Sequence, residues 1–161
     1  MLKMEKNLNN HLKCISKGKK IILDPTDGKK TISRAKKIFT GGIGLYFDRW
    51  GLNVPDEPTG KTEVQVYKTI EEGTFKDLFN NFGKDHSCIC LKQSQIVQFC
   101  ERHPDWLNNV SGLFFLFNTK LNFFVAQAYQ DHGNLYADVH HLLHERVWYP
   151  EDRLRIIVPQ L

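Results

Sequence analysis

Long apolar runs and export signals are missing from this 161-residue sequence. No apolar stretch approaches the roughly 20 residues needed to cross a bilayer. The first ten residues, MLKMEKNLNN, contain none of the continuous apolar core that a signal peptide requires. The sequence therefore predicts a cytoplasmic protein with no membrane partner.

Catalytic and cofactor motifs are missing as well. No serine or cysteine lies in a nucleophile-elbow pattern. The glycines of Gly41-Gly-Ile-Gly44 have neither the dinucleotide-binding spacing nor the Lys-Ser/Thr ending of a phosphate loop. These absences predict no cofactor and no catalytic residue.

Cysteine is sparse, with four residues in the chain. Without an export signal, they are expected to be reduced thiols rather than a disulfide framework. Cys88 and Cys90 form a Cys-x-Cys pair, which lacks the longer spacer of structural zinc sites and has no second pair to match it. They are retained only as a weak candidate pair of metal ligands.

Acidic residues are rare near the start of the chain. Residues 1–37 contain eleven Lys/Arg and three acids, a net charge of +8, whereas residues 38–161 carry a net −4. Such an asymmetry favours a phosphate-rich partner for the basic segment. We predict a mobile basic arm at 1–18 followed by a single domain at 19–161. The candidate nucleic-acid-binding residues are Lys19, Lys20, Lys29, Lys30, Arg34, Lys36 and Lys37.

Aromatic residues are absent before Phe39 and are concentrated later in the chain. Three apolar and aromatic runs, at 112–118, 120–129 and 135–140, are separated by short turn-forming segments. This pattern predicts an antiparallel meander. A last strand is expected at 153–158, and a short one at 20–24.

Helical patterns precede the meander. They predict helices at 31–39, at 63–72 with Thr62 as its cap, at 74–82 and at 94–103. Because the helices come before the main strands, we predict an α+β fold in which short N-terminal and central helices pack on a C-terminal antiparallel β-meander.

Three helices followed by a hairpin also fit a winged-helix outline. The third helix would then read DNA, since glutamine side chains can bind adenine. Its outward residues would be Gln93, Gln95, Gln98, Glu101 and Arg102.

Four histidines lie between His132 and His144. On a helix, His140 and His144 would share one face, as metal ligands can. On a strand, His140 and His141 would point to opposite faces. A metal-dependent enzyme that uses this group is therefore one hypothesis.

Several segments together resemble a family of short bacterial proteins of no known function. They are Ile38–Gly41, Asp48–Asn53, Val64–Tyr67, Gly73–Phe79, Cys90–Phe99, Gly112–Phe117 and Arg155–Gln160. The resemblance covers about residues 27–161 and implies a bacterial origin and a discrete domain. It implies no activity, ligand or catalytic residue, and the histidine group lies outside the shared pattern.

The sequence thus predicts a small non-catalytic binding or regulatory domain with a basic N-terminal segment. Its partner would be another protein or a polyanion. A nucleic-acid-binding protein, using the arm or a winged helix, and a metal-dependent enzyme are the alternatives.

Overall fold

The computed structural model describes residues 11–161. Within that range, eight strands form one mixed sheet, and strand residues outnumber helical ones by 33% to 22%. The strands are β1 (Leu12–Cys14), β2 (Ile21–Leu23), β3 (Gly42–Ile43), β4 (Thr62–Thr69), β5 (Gly112–Asn118), β6 (Phe123–Asp131), β7 (Asn134–His141) and β8 (Leu154–Pro159). The α-helices are α1 (Tyr46–Arg49), α2 (Phe75–Phe79) and α3 (Gln93–Arg102). Short 3-10 helices lie at Asn80–Phe82, His86–Ile89, Pro104–Leu107 and Pro150–Asp152.

The strands follow the order β1-β4-β8-β5-β6-β7-β3, and β2 pairs with the other end of β4. Two of the pairings, β5 with β8 and β3 with β7, are parallel, and the others are antiparallel. The predicted α+β fold, a C-terminal meander covered by N-terminal helices, is therefore wrong. The meander β5-β6-β7 exists, but it supplies only three of the eight strands of a larger sheet that also includes strands from the N-terminal part of the chain.

The prediction for the segment that forms β4 is the one that departs most from the structure. A helix was predicted at 63–72, but residues 62–69 form a strand between β8 and the pair β1 and β2. The segment alternates Val64 and Val66, both buried, with half-exposed residues, which is the period of a strand. Thr62 and Gln65 have the spacing of a capping box, but Thr62 instead accepts a hydrogen bond from Gln95.

The segment predicted as a helix at 31–39 forms consecutive turns. Its inward side chains, Ile32, Ala35 and Phe39, are buried in the core, as the pattern predicted. Residues 24–41, between β2 and β3, cross one face of the sheet from β4 to β7. We call them the crossing segment.

Both faces of the sheet are covered. On one face, Phe99 of α3 lies 5.6 Å from Phe115, measured between ring centroids. On the other, Phe75 of α2 lies 5.5 Å from Phe114. Residues 112–117 of β5 are consequently buried at every position, as expected for a strand enclosed on both sides. We call the face of the sheet covered by α3 the α3 face, and the face covered by α2 the α2 face.

Of the predicted arm 1–18, residues 1–10 lie outside the described part of the chain. Residues 12–14 form β1, and the buried Ser16 accepts a hydrogen bond from the amide of Val66. No helix within residues 11–161 is long and apolar enough to cross a membrane.

Because the two cores are separate, we expect substitutions in them to change the free energy of unfolding independently. Phe79 and Phe99 are both fully buried, in the clusters of the α2 face and the α3 face respectively. We expect Phe79→Leu and Phe99→Leu each to lower the free energy of unfolding by about 0.5–3 kcal/mol. The double variant should lose the sum within about 0.5 kcal/mol, because the sheet separates the two sites. Urea denaturation of the four proteins tests this, and a larger coupling would indicate one shared core.

Candidate anion-binding face

Three basic side chains lie directly opposite one another on neighbouring strands of the α3 face. In the strand register, Lys13 of β1 faces Lys68 of β4, and Lys68 faces Arg155 of β8. We call these three residues the basic row. Directly opposed residues of adjacent strands project from the same face, so the three cations are close neighbours.

The basic row is electrostatically unfavourable as it stands. Like charges directly opposite in a sheet destabilise it. Among residues 11–161, none of the three makes an ion pair with a carboxylate. The pKa of Arg155 is lowered, first by burial and then by the nearby charge of Arg153. The arrangement concentrates positive charge without compensating it.

A pocket of about 430 Å³ lies beside the basic row. Lys68, Arg153 and Arg155 line it together with Pro150 and Ile70. Arg153 follows the 3-10 turn Pro150–Asp152 and has a left-handed backbone, with φ of 54°. Its amide donates to the carbonyl of Pro150, and its carbonyl accepts from Ser111. Two backbone hydrogen bonds thus hold the backbone of Arg153 in place beside the pocket.

The basic residues predicted from the sequence are all exposed, but the structure does not gather them at the basic row. Lys19 lies 5.1 Å above the ring of Trp106, which packs on the α3 face. The residues from Lys29 to Lys37 belong to the crossing segment, which hydrogen-bonds to the start of α3 through Thr26 and Ile32. That end of α3 binds Thr62, which is six strand residues, about 20 Å, from Lys68.

Sequence reasoning missed the basic row. The sequence patterns place Lys13 in the predicted arm, Lys68 in a predicted helix and Arg155 in the predicted last strand. Each is an ordinary basic residue in its local context, and only the pairing register brings the three together. A correct strand assignment for β4 would have been the first usable signal, because its alternation places Lys68 on the face of Val64 and Val66.

The winged-helix interpretation fails at α3. Gln95 and Gln98 are buried rather than outward-facing, and Gln93 is half-buried. Gln98 accepts from the amide of Asp24 and donates to its carbonyl, while Gln93 bonds the carbonyl of Leu52 and the amide of Ile32. These glutamines hold loops against α3 and are not available to read bases. Of the five, Glu101 and Arg102 are exposed, and Arg102 pairs with Asp24.

The structure brings His140 and His144 together but leaves His132 and His141 elsewhere. His140 lies on β7, half-buried, and bonds Gln127 at 2.9 Å. His144 lies in the following turn with its ring 5.7 Å from that of His140. His141 projects to the opposite face and stacks on Trp50 at 4.1 Å, and His132 pairs with Asp131 in the β6–β7 turn. Within residues 11–161, no three His, Cys, Asp or Glu side chains are grouped to hold a metal ion.

The Cys-x-Cys pair is divided between solvent and core. Cys88 is exposed and donates to Asp85, and this hydrogen bond is the main reason that its pKa is raised. Cys90 donates to the carbonyl of His86, and burial raises its pKa to about 12. Because the thiolate is the form that binds metal or attacks an electrophile, both cysteines are poorly suited to that chemistry at neutral pH.

Comparisons with protein families, with curated proteins and with solved structures find no match to this chain. The resemblance to short bacterial proteins therefore stays an expectation.

His140 predicts a pH dependence of stability. Burial lowers its pKa below the ordinary 6.5, and the charges of His144 and Arg146 act in the same direction, while Asp138 opposes them. The unfolded chain therefore binds the proton more readily, so stability should be complete above pH 6.5 and decline as the pH falls through that value. Urea denaturation between pH 7.5 and 5 measures this.

His140→Gln should reduce that decline, whereas His132→Gln, in the exposed turn, should retain it. His86 also has a lowered pKa, mainly through burial, so part of the decline should persist in His140→Gln. An unchanged slope in His140→Gln would contradict the assignment.

Metal content provides a second test. Protein purified without chelator should contain no stoichiometric zinc, and EDTA should leave its melting temperature unchanged, since no three potential ligand side chains in residues 11–161 are grouped to hold a metal ion. Elemental analysis measures the bound zinc, and thermal melts with and without EDTA measure the change in melting temperature. Stoichiometric zinc would restore His140, His144, Cys88 and Cys90 as candidate ligands.

Proposed function

We propose that this chain is a non-catalytic binding domain whose partner is a nucleic acid, held by its phosphates at the basic row. The observation that carries the proposal is the alignment of Lys13, Lys68 and Arg155 across three strands without a carboxylate partner among residues 11–161. Neighbouring strands are about 4.8 Å apart, so the three cations form a line about 10 Å long. A line of cations suits a chain of closely spaced phosphates.

Arg153 adds to this interpretation. It extends the positive charge of the basic row into the adjoining pocket, beside Arg155. Arginine binds phosphate through two parallel N–H donors, which makes it better suited than lysine to a partly enclosed anion. The basic N-terminal residues, among them Lys17, Lys19 and Lys20, follow β1 and add exposed charge along the chain.

The phosphate contacts supply affinity and not sequence recognition. α3 does not offer a base-reading face, because its glutamines are used in internal hydrogen bonds. Binding should therefore be largely indifferent to base sequence and should weaken steeply with salt, since each neutralised phosphate releases counterions.

The test is a titration with random-sequence single-stranded and duplex DNA at 50 and 200 mM salt. Lys68→Glu places a carboxylate in the centre of the basic row and should reduce the slope of log K against log salt by about one to two. Lys84→Glu is the matched control: it makes the same charge change at an exposed loop residue next to the 3-10 helix His86–Ile89. Lys36→Glu/Lys37→Glu measures the contribution of the crossing segment.

Stability separates loss of binding from loss of fold. Lys68→Glu should stabilise the protein at low salt by roughly 0.2–1 kcal/mol, because it converts two like-charge cross-strand pairs into opposite-charge pairs. A variant that is more stable yet binds DNA less tightly would identify the basic row as a binding feature. Absence of binding at 50 mM salt, or equal binding by Lys68→Glu and the parent protein, would refute the proposal.

A further inference from the structure

A second cavity, of about 510 Å³, lies at the other end of β5. Leu113 of β5 pairs with Arg155, whereas Phe117 lines this cavity. The four intervening residue steps correspond to about 13 Å of strand. The cavity is therefore distinct from the basic row and is not used by the proposed function.

The floor of the cavity is apolar. Leu52, Leu91 and Phe117 line it, and each side chain is otherwise almost completely buried. On the rim, Val54 and Leu121 are 61% and 89% exposed. An exposed leucine is ordinary when isolated, but here two apolar rim residues adjoin an apolar floor. An apolar ligand body would rest on this floor and cover the exposed side chains of Val54 and Leu121.

The walls are held in place before any ligand arrives. The side chain of Gln93 donates to the carbonyl of Leu52 at 2.7 Å, and the amide of Leu91 donates to the carbonyl of Leu116. Lys92 and Asp56 form an ion pair at 3.1 Å between two of the wall segments. A preformed cavity lowers the ordering cost of binding.

The charges at the rim favour an anionic head group. Lys92 and Lys120 face one acidic residue, Asp56, and that acid is paired with Lys92. Lys120 makes no ion pair with any residue in 11–161 and lies in the exposed β5–β6 turn. An anion on the ligand would pair with Lys120 while its apolar part occupied the floor.

We propose that this cavity binds a small organic acid with an apolar body, such as a medium-chain carboxylate. Its volume lies within the range of small-molecule sites, and an apolar lining with a few convergent polar groups is typical of them. The ligand class follows from the apolar floor and from the unpaired lysine on the rim.

Sodium octanoate is the probe, followed by two-dimensional amide NMR of the full chain. Octanoate should produce saturable shifts confined to residues 51–56, 91–93 and 117–121. Acetate, which lacks the apolar body, should produce none, and octylammonium, which reverses the charge, should bind more weakly. Scattered or unsaturable octanoate shifts, or equal effects from acetate, would overturn the proposal.

Leu121→Glu should weaken octanoate binding about tenfold, since it removes an apolar contact and adds a like charge. The matched control is Leu143→Glu, an equivalent change at a leucine that is 69% exposed and outside the cavity. Lys68→Glu should leave octanoate affinity unchanged, which separates this site from the basic row. Equal octanoate affinity in Leu121→Glu and Leu143→Glu would refute the assignment.

Discussion

Burial of β5 on both faces is the constraint on which the rest of the structure depends. Phe114 and Phe115 point in opposite directions, and each needs an apolar layer to pack against. A hairpin partner supplies only edge pairing, so the chain must provide helices on both sides and a strand at each edge of β5. β6 pairs with one edge of β5 in the antiparallel direction, and the C-terminal strand β8 pairs with the other edge in the parallel direction. The two cores and the pairing of β8 with β5 are thus the parts of the fold that enclose this one strand.

The sequence predicts features that local pattern determines. The meander follows from three apolar runs divided by turn residues, and α2 and α3 follow from their spacing of apolar residues and, for α2, from the Thr74 cap. β4 was not predicted as a strand because its eight residues have both the spacing of a helix cap and the alternation of a strand. Only its pairing with β1 and β8 decides between the two. The parallel pairing of β5 with β8 joins residues about forty positions apart, and no local signal encodes such a contact. The basic row escaped for the same reason, since it exists only in the register of three strands.

α3 shows how polar residues can mislead a reading of sequence. A helix with three glutamines at spacings of two and three suggests an outward polar face. In the folded chain those amides satisfy backbone groups of the loops around them, including both polar groups of Asp24 and the carbonyl of Leu52. Buried backbone groups need partners, and irregular segments that cross a sheet have few of their own. The glutamines of α3 thus hold the crossing segment against the helix. This explains why α3 buries polar side chains as well as apolar ones.

The basic row and the cavity depart in two different ways from what stability alone would select. The cavity leaves apolar side chains uncovered, which forgoes burial energy at Val54 and Leu121. The basic row opposes like charges, which the sheet would be more stable without. Sites selected for function commonly retain such local costs because a ligand relieves them. In this fold the two features are separated along the direction of β5, since Arg155 of the basic row pairs with Leu113 near its start and Phe117 near its end lines the cavity. Under the two proposals, each ligand would relieve its own local cost without rearranging the core between the two sites.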